Sequence, residues 1–269
     1  SVMVSDGQRM LVAPAAAGDE ATMYAQQLAA PVVVGVNRAR SCMLLQQWMQ
    51  KNKKNIEYVF LDDAYQHFSV KKDFEILLLD ARAPFDNGHY LPVGRLREKD
   101  YTRADVIIAT HADGLDAAAQ LDFKKKLPAF NSEHIFFGTH APEGIFFHNT
   151  ELVDQQAIAS KRFLLAAGVG SFSGVLATAR AAGAAVCATR EFNDHYRYSS
   201  DDVQDLFQLM HAQQCDALLV TTKDWVKLQP LLTRDPDVPI YVLRVVFEFL
   251  SQPEYDCLIA VMKKKLLTL

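Results

Sequence analysis

Along most of the chain, short continuous apolar runs alternate with stretches whose apolar positions recur every three or four residues. The first pattern is that of a buried strand and the second that of an amphipathic helix. Residues 31–36 (PVVVGV) predict a buried strand, and 38–49 a helix with Cys42, Leu45 and Met49 on one face. Residues 56–61, 74–79 and 106–109 predict strands, and 114–126 a helix that Pro128 ends. Two apolar runs, 134–138 and 144–148, flank T-H-A-P-E and predict a hairpin or ribbon. Further on, strands at 162–167, 185–189, 217–221 and 240–245 alternate with helices at 173–182, 201–213, 223–232 and 255–266. At the front, SVMVSDGQRMLV predicts two strands about a D-G turn, and 21–28 a helix. Such β-α-β alternation implies an α/β fold with parallel sheets covered on both faces. The polar stretch 149–160 predicts a boundary between domains at 1–150 and 151–269.

Composition narrows the function classes. Half of the residues are hydrophobic, 22% are charged, and the net charge is −4, so the chain has no electrostatic footprint for nucleic acid. Four scattered cysteines without a C-x-x-C pair lead to an expectation of reduced thiols. No apolar run approaches the roughly 20 residues that span a bilayer. Lys263, Lys264 and Lys265 suit a helix C-terminus, where cations are favoured, or an anionic membrane surface. The first residues already resemble domain interior, so a further segment is expected before Ser1.

Five constellations carry candidate chemistry. In VFLDDAYQH (59–67), Asp62 and Asp63 follow an apolar run, where a parallel sheet binds ligands and a carboxylate can hold magnesium; a polar strand end is the plainer alternative. In LLLDARAPFDNGHYLPVGRLRE (77–98), Asp80 ends a strand, Asn87-Gly88 marks a turn, and Arg95 and Arg97 suit phosphate recognition or local ion pairs. In A-G-D-E (17–20), Asp19 or Glu20 is either a helix N-cap or a base for an attacking hydroxyl. REFNDHYRY (190–198) puts Asp194, His195 and Arg197 beyond a strand. In VTTKDWVK (220–227), Thr221 or Thr222 can cap a helix whose first turn favours Asp224.

The order and spacing of these pieces resemble the tetraacyldisaccharide 4′-kinase family of lipid A biosynthesis. The resemblance rests on LDDAYQH (61–67), DARAPFDNG (80–88), LPVGRLRE (91–98) and RAD (103–105), and extends to GDE (18–20), REFNDHYRY and TTKDWVKL (221–228). It implies a P-loop NTPase-like parallel-sheet domain, lacking its N-terminal phosphate-loop segment here, and a second, smaller α/β domain closing over the site. The implied reaction moves the γ-phosphate of ATP to the 4′-hydroxyl of an acylated glucosamine disaccharide 1-phosphate. The implied setting is the cytoplasmic face of the bacterial inner membrane, with the enzyme peripheral. Carried over by motif, Asp19 and His195 are the catalytic pair, and Asp62 and Asp63 hold Mg2+. Asp63, Gln66, His67 and Glu98 line the ATP side.

The departures are specific. No G-x-x-x-x-G-K-[ST] loop occurs in the 269 residues, so this stretch alone is expected to bind ATP poorly and be inactive. Ala64 stands where the family has glycine, which restricts the backbone after the carboxylates. Asp86 replaces a common glycine, and Thr222 a glutamate. A catalytically inactive homologue that binds lipid A precursors or a partner protein is the alternative.

Overall fold

A computed structural model of the chain describes residues 1–94, 96–232 and 238–267, the side chain of Ala15 apart. Its elements follow one another as β1 (Val2–Asp6), α1 (Pro14–Ala17), α2 (Asp19–Gln27), β2 (Pro31–Val34), α3 (Arg38–Asn52), β3 (Ile76–Asp80), β4 (Val106–Thr110), α4 (Ala117–Lys125) and β5 (Ile135–Phe147). After these come β6 (Glu151–Leu152), α5 (Gln155–Ala159), β7 (Arg162–Gly168), α6 (Phe172–Ala181), β8 (Ala185–Phe192), α7 (Ser200–Ala212), β9 (Ala217–Thr221), α8 (Thr222–Leu228), β10 (Ile240–Phe249) and α9 (Gln252–Leu266). Two compact units result. One comprises residues 1–55 and 142–246, the other 56–141 and 247–269. The units are therefore interleaved in sequence, whereas the polar stretch had suggested consecutive domains divided at 150; β5 and β10 each run from one unit into the other.

In the first unit, β8, β7, β9 and β10 lie side by side and parallel. Successive side chains of a strand point to opposite faces. Leu164 and Ala166 of β7, Leu218 and Val220 of β9, and Ile240 and Val242 of β10 thus form one core with Val203, Leu206 and Met210 of α7 and Trp225 and Leu228 of α8. Their neighbours Phe163, Leu165, Leu219, Tyr241 and Leu243 form another with Ala179 of α6 and Ile158 of α5. A sheet buried on both faces explains why these strands read as unbroken apolar runs. The start of α7 is fixed by a capping box, in which the Ser199 side chain and Asp202 satisfy each other's backbone amides. β1 and β2 form a separate antiparallel pair.

The second unit is built in the same way. β3, β4 and the start of β5 run parallel. Ile107, Ala109, Ile135 and Phe137 pack with Phe123 of α4, and Val106, Ile108 and Phe136 with Leu258 of α9. Glu254 of α9 accepts a hydrogen bond from the Phe137 amide, and Lys265 is ion-paired with Asp105.

Several expectations change. Residues 56–61 form no strand: among the described residues nothing pairs with them, and Phe60 is 84% exposed. An apolar run without a ladder partner leaves its backbone groups to water and stays irregular. The expected second strand near the N-terminus is reduced to one bridge, Ser5 with Met10, because β1 pairs with β2 instead. β2 is half-buried rather than buried. The expected hairpin at 134–148 is the single strand β5, whose exposed polar middle lies where the chain passes from one unit to the other. Cys187 and Cys215, expected as free thiols, are joined as a disulfide with Cα atoms 6.6 Å apart, and Cys42 and Cys257 are free.

Two substitutions check this architecture by urea unfolding. Ser199→Ala removes the cap of α7 and is expected to cost about 1 kcal/mol. Leu219→Ala opens a cavity at a side chain with no exposed surface and is expected to cost about 2–5 kcal/mol.

Candidate active site

Within the first unit, α2 packs on α8, and the loop after β8 lies beside them. Gly18, at φ 84°, occupies the N-cap of α2, so Asp19 is not the cap; it is the first helical residue. Its Oδ2 lies 4.0 Å from Nδ1 of His195 and 3.8 Å from Nζ of Lys227. His195 sits on left-handed backbone (φ 59°), with Nε2 3.8 Å from an Asp194 oxygen and its amide donating to the other at 2.9 Å. Lys223 Nζ donates to Asp194 at 2.9 Å, and this bond above all holds the Asp194 carboxyl below the usual carboxylate range.

Beneath these residues is Asp224, which has no exposed surface. It accepts from the Gly168 amide (3.1 and 3.2 Å), the Tyr198 hydroxyl (3.0 Å) and the Thr221 hydroxyl (2.7 Å), and Lys227 Nζ is 3.2 Å away. Gly168 packs closely here, since a Cβ would stand 3.2 Å from Asp224 and 3.1 Å from the Asn193 carbonyl. Burial, followed by the charge of Asp224, pushes the Tyr198 hydroxyl far above its ordinary range, so it remains a donor. Of the two proposed caps, Thr221 is the one that accepts from the Asp224 amide and starts α8.

The second unit holds the other candidates. Asp62 and Asp63 are exposed on a turn, where Asp62 accepts from the Asp63 amide at 3.0 Å. Left-handed backbone falls on Asp63 (φ 45°), one residue before the position where glycine was expected. Ala64 is buried, and its carbonyl accepts from His67 N and Lys72 Nζ, both at 2.9 Å. Asp86 adopts φ 47°, a conformation that glycine reaches without strain and aspartate tolerates. Arg97 lies 3.3 Å from Asp63; Arg95 is outside the described residues. Gln66 is exposed and His67 half-buried.

Glu98 pairs with Arg103 at 2.8 Å. That guanidinium also lies 3.5 Å from Glu75 and 4.1 Å from the centre of the Tyr65 ring. Burial pushes the Tyr65 hydroxyl up to about 12. At the end of β3, Arg82 grips Asp80 through two nitrogens (2.9 and 2.6 Å), holding that carboxyl below its usual range.

Comparison with known proteins identifies this set of motifs. A family described as tetraacyldisaccharide-1-P 4′-kinase matches residues 1–263. The chain belongs to this family. A tetraacyldisaccharide 4′-kinase of Geobacter metallireducens is 32% identical over 86% of the chain and 66% of its own length. That of Desulfatibacillum aliphaticivorans is 30% identical over 94% and 68%. The chain thus spans about two thirds of the length of these curated relatives. The crystal structure of LpxK from Aquifex aeolicus in complex with ATP shares the fold, with a TM-score of 0.70 over 98% of this chain and 74% of that one, at 22% identity. The expected α/β fold is therefore confirmed.

For a member of the kinase family, the geometry adds residues that sequence reasoning missed. Asp224 read there as a first-turn residue and Lys227 carried no role, yet Lys227 lies between Asp224 and Asp19. The i, i+3 spacing of Asp224 and Lys227 on α8 places them on one helix face, and that was the available signal. Arg103 was part of a quoted motif without a role, but it joins Glu98 to Tyr65 and Glu75.

The Lys223–Asp194 pair gives a pH-dependent prediction. A lowered folded-state carboxyl adds stability above its unfolded value, roughly pH 3.9, and loses it as pH falls through the folded value. Lys223→Met is therefore expected to return the Asp194 titration, followed by 13C NMR, towards the ordinary range. The stability difference between wild type and variant should be full above about pH 4 and close as pH falls below it.

Proposed function

We propose that this protein transfers the γ-phosphoryl group of ATP to the 4′-hydroxyl of an acylated glucosamine disaccharide 1-phosphate. The observation that carries this reading is the meeting of Asp19 and His195, from distant motifs, at 4.0 Å. A sugar hydroxyl ionises far above neutral pH and needs a base beside it at attack. Asp19 takes the proton as the new O–P bond forms and the bond to ADP breaks. His195 orients the carboxylate and shares the proton's charge, and Asp194 with Lys223 fixes the histidine's loop.

The phosphates bring the opposite charge requirement, which in this reading falls to Asp62 and Asp63. Asp62 and Asp63, both exposed, offer hard oxygen donors of the kind that would hold Mg2+. Asp63, Gln66, His67 and Glu98 line the ATP side in this reading. Glu98 is held in place by Arg103. Bound magnesium supplies charge neutralisation at the phosphates.

An acylated substrate is met at a membrane surface, and ATP places that surface on the cytoplasmic side of the inner membrane. The protein then acts as a peripheral enzyme there. Among the described residues, no helix is long and apolar enough to cross a membrane.

The test uses the protein expressed from its complete coding sequence, with ATP, magnesium and the disaccharide 1-phosphate. Asp19→Asn is expected to lower kcat by about 10²–10⁴-fold, and paired alanines at Asp62 and Asp63 to raise the magnesium requirement. No turnover with intact lipid binding would overturn the kinase reading in favour of the non-catalytic homologue.

A further inference from the structure

Lys227 is placed unlike an ordinary helix lysine. Its side chain is 9% exposed and its ammonium sits between two carboxylates, 3.2 Å from Asp224 and 3.8 Å from Asp19. The ammonium lies 5.3 Å from the centre of the Tyr198 ring, and its buried nitrogen makes no well-aligned hydrogen bond. A buried ammonium with no aligned acceptor is costly unless charge holds it.

The two carboxylates differ. Asp224 is fixed by three donors from β7, the loop after β8 and the start of α8, and has no exposed surface. Asp19 is 29% exposed, and its neighbour His195 is 61% exposed. Asp224 is thus the anchor, and Lys227 is the group described within 4 Å of both carboxylates. A lysine at this point restrains one oxygen of Asp19 by charge and leaves the other for a proton.

We propose that Lys227 is a positioning residue, which links Asp19 to the buried Asp224 and holds the carboxylate towards the acceptor hydroxyl. The inference rests on the reading of Asp19 as the base. It assigns Lys227 no contact with either substrate. Loss of the link should therefore slow the chemical step and leave substrate binding alone. Arginine, with a similar reach and the same charge, should restore part of the function.

The test compares Lys227→Met and Lys227→Arg with Asp19→Asn and the double variant Asp19→Asn/Lys227→Met, all in the complete protein. Lys227→Met is expected to lower kcat by about 10–100-fold, with the KM values for ATP and lipid within about twofold. Lys227→Arg should recover most of that loss, and the double variant should be no slower than Asp19→Asn alone. A Lys227→Met kcat within about twofold of wild type, or losses that multiply in the double variant, would overturn the proposal. Should Lys227→Met unfold, Lys227→Met/Asp224→Asn, which removes both charges, takes its place.

Hydrogen exchange supplies a readout that needs no turnover. The α2 amides from Thr22 to Gln26 should exchange faster in Lys227→Met, with α7 unchanged, and unaltered exchange in α2 would also overturn the proposal. If the wild-type protein transfers no phosphate, the kinase reading fails on that result alone, and exchange still decides the role of Lys227.

Discussion

A carboxylate buried without water must find donors inside the protein, and Asp224 finds them on three separate segments. Removing one partner of a buried charged group commonly costs about 3–5 kcal/mol, so these segments are bound to a common position. Through Gly168 the network fixes the end of β7, through Tyr198 the loop that carries His195, and through Thr221 the start of α8. Lys227 extends it to Asp19 on α2. The segments that carry Asp19 and His195 therefore hang on one buried charge beneath them.

The second unit uses a related solution in a wetter setting. Arg103 stacks on Tyr65 and joins Glu98 to Glu75, while Lys72 holds the Ala64 carbonyl and pairs with Glu75. These contacts shape the turn that presents Asp62 and Asp63 although no strand leads into it. A conformation that glycine would take most easily is borne by Asp63, and aspartate is among the few residues that tolerate it. Ala64 is buried and lies outside the left-handed region itself.

Much of the fold was legible. β4, β7, β9 and the core of β10 were visible as apolar runs because both faces of their sheets are covered. The long helices α3, α7 and α9 were visible because apolar positions recur in them at helical spacing. The failures share a cause. Residues 56–61 are apolar but lack a pairing partner among the described residues, and β5 is one strand although its middle is polar. Hydrophobic pattern reports burial, whereas strand formation also depends on a neighbour that pattern does not reveal. The interleaving of the two units was hidden for the same reason, since a polar linker resembles the exposed turn at 149–150.

What the sequence determined by itself was the family and the side chains that are candidates for its chemistry. Short motifs with fixed spacing are legible because a given chemistry admits few residue types at each position. Only the tertiary structure decided which of those side chains meet. Asp19 and His195 are far apart along the chain, and their approach depends on α2 packing against α8 and on the loop after β8. It alone also distinguished Asp224 and Lys227 from ordinary surface charges, because a lysine's burial is set by what folds over it.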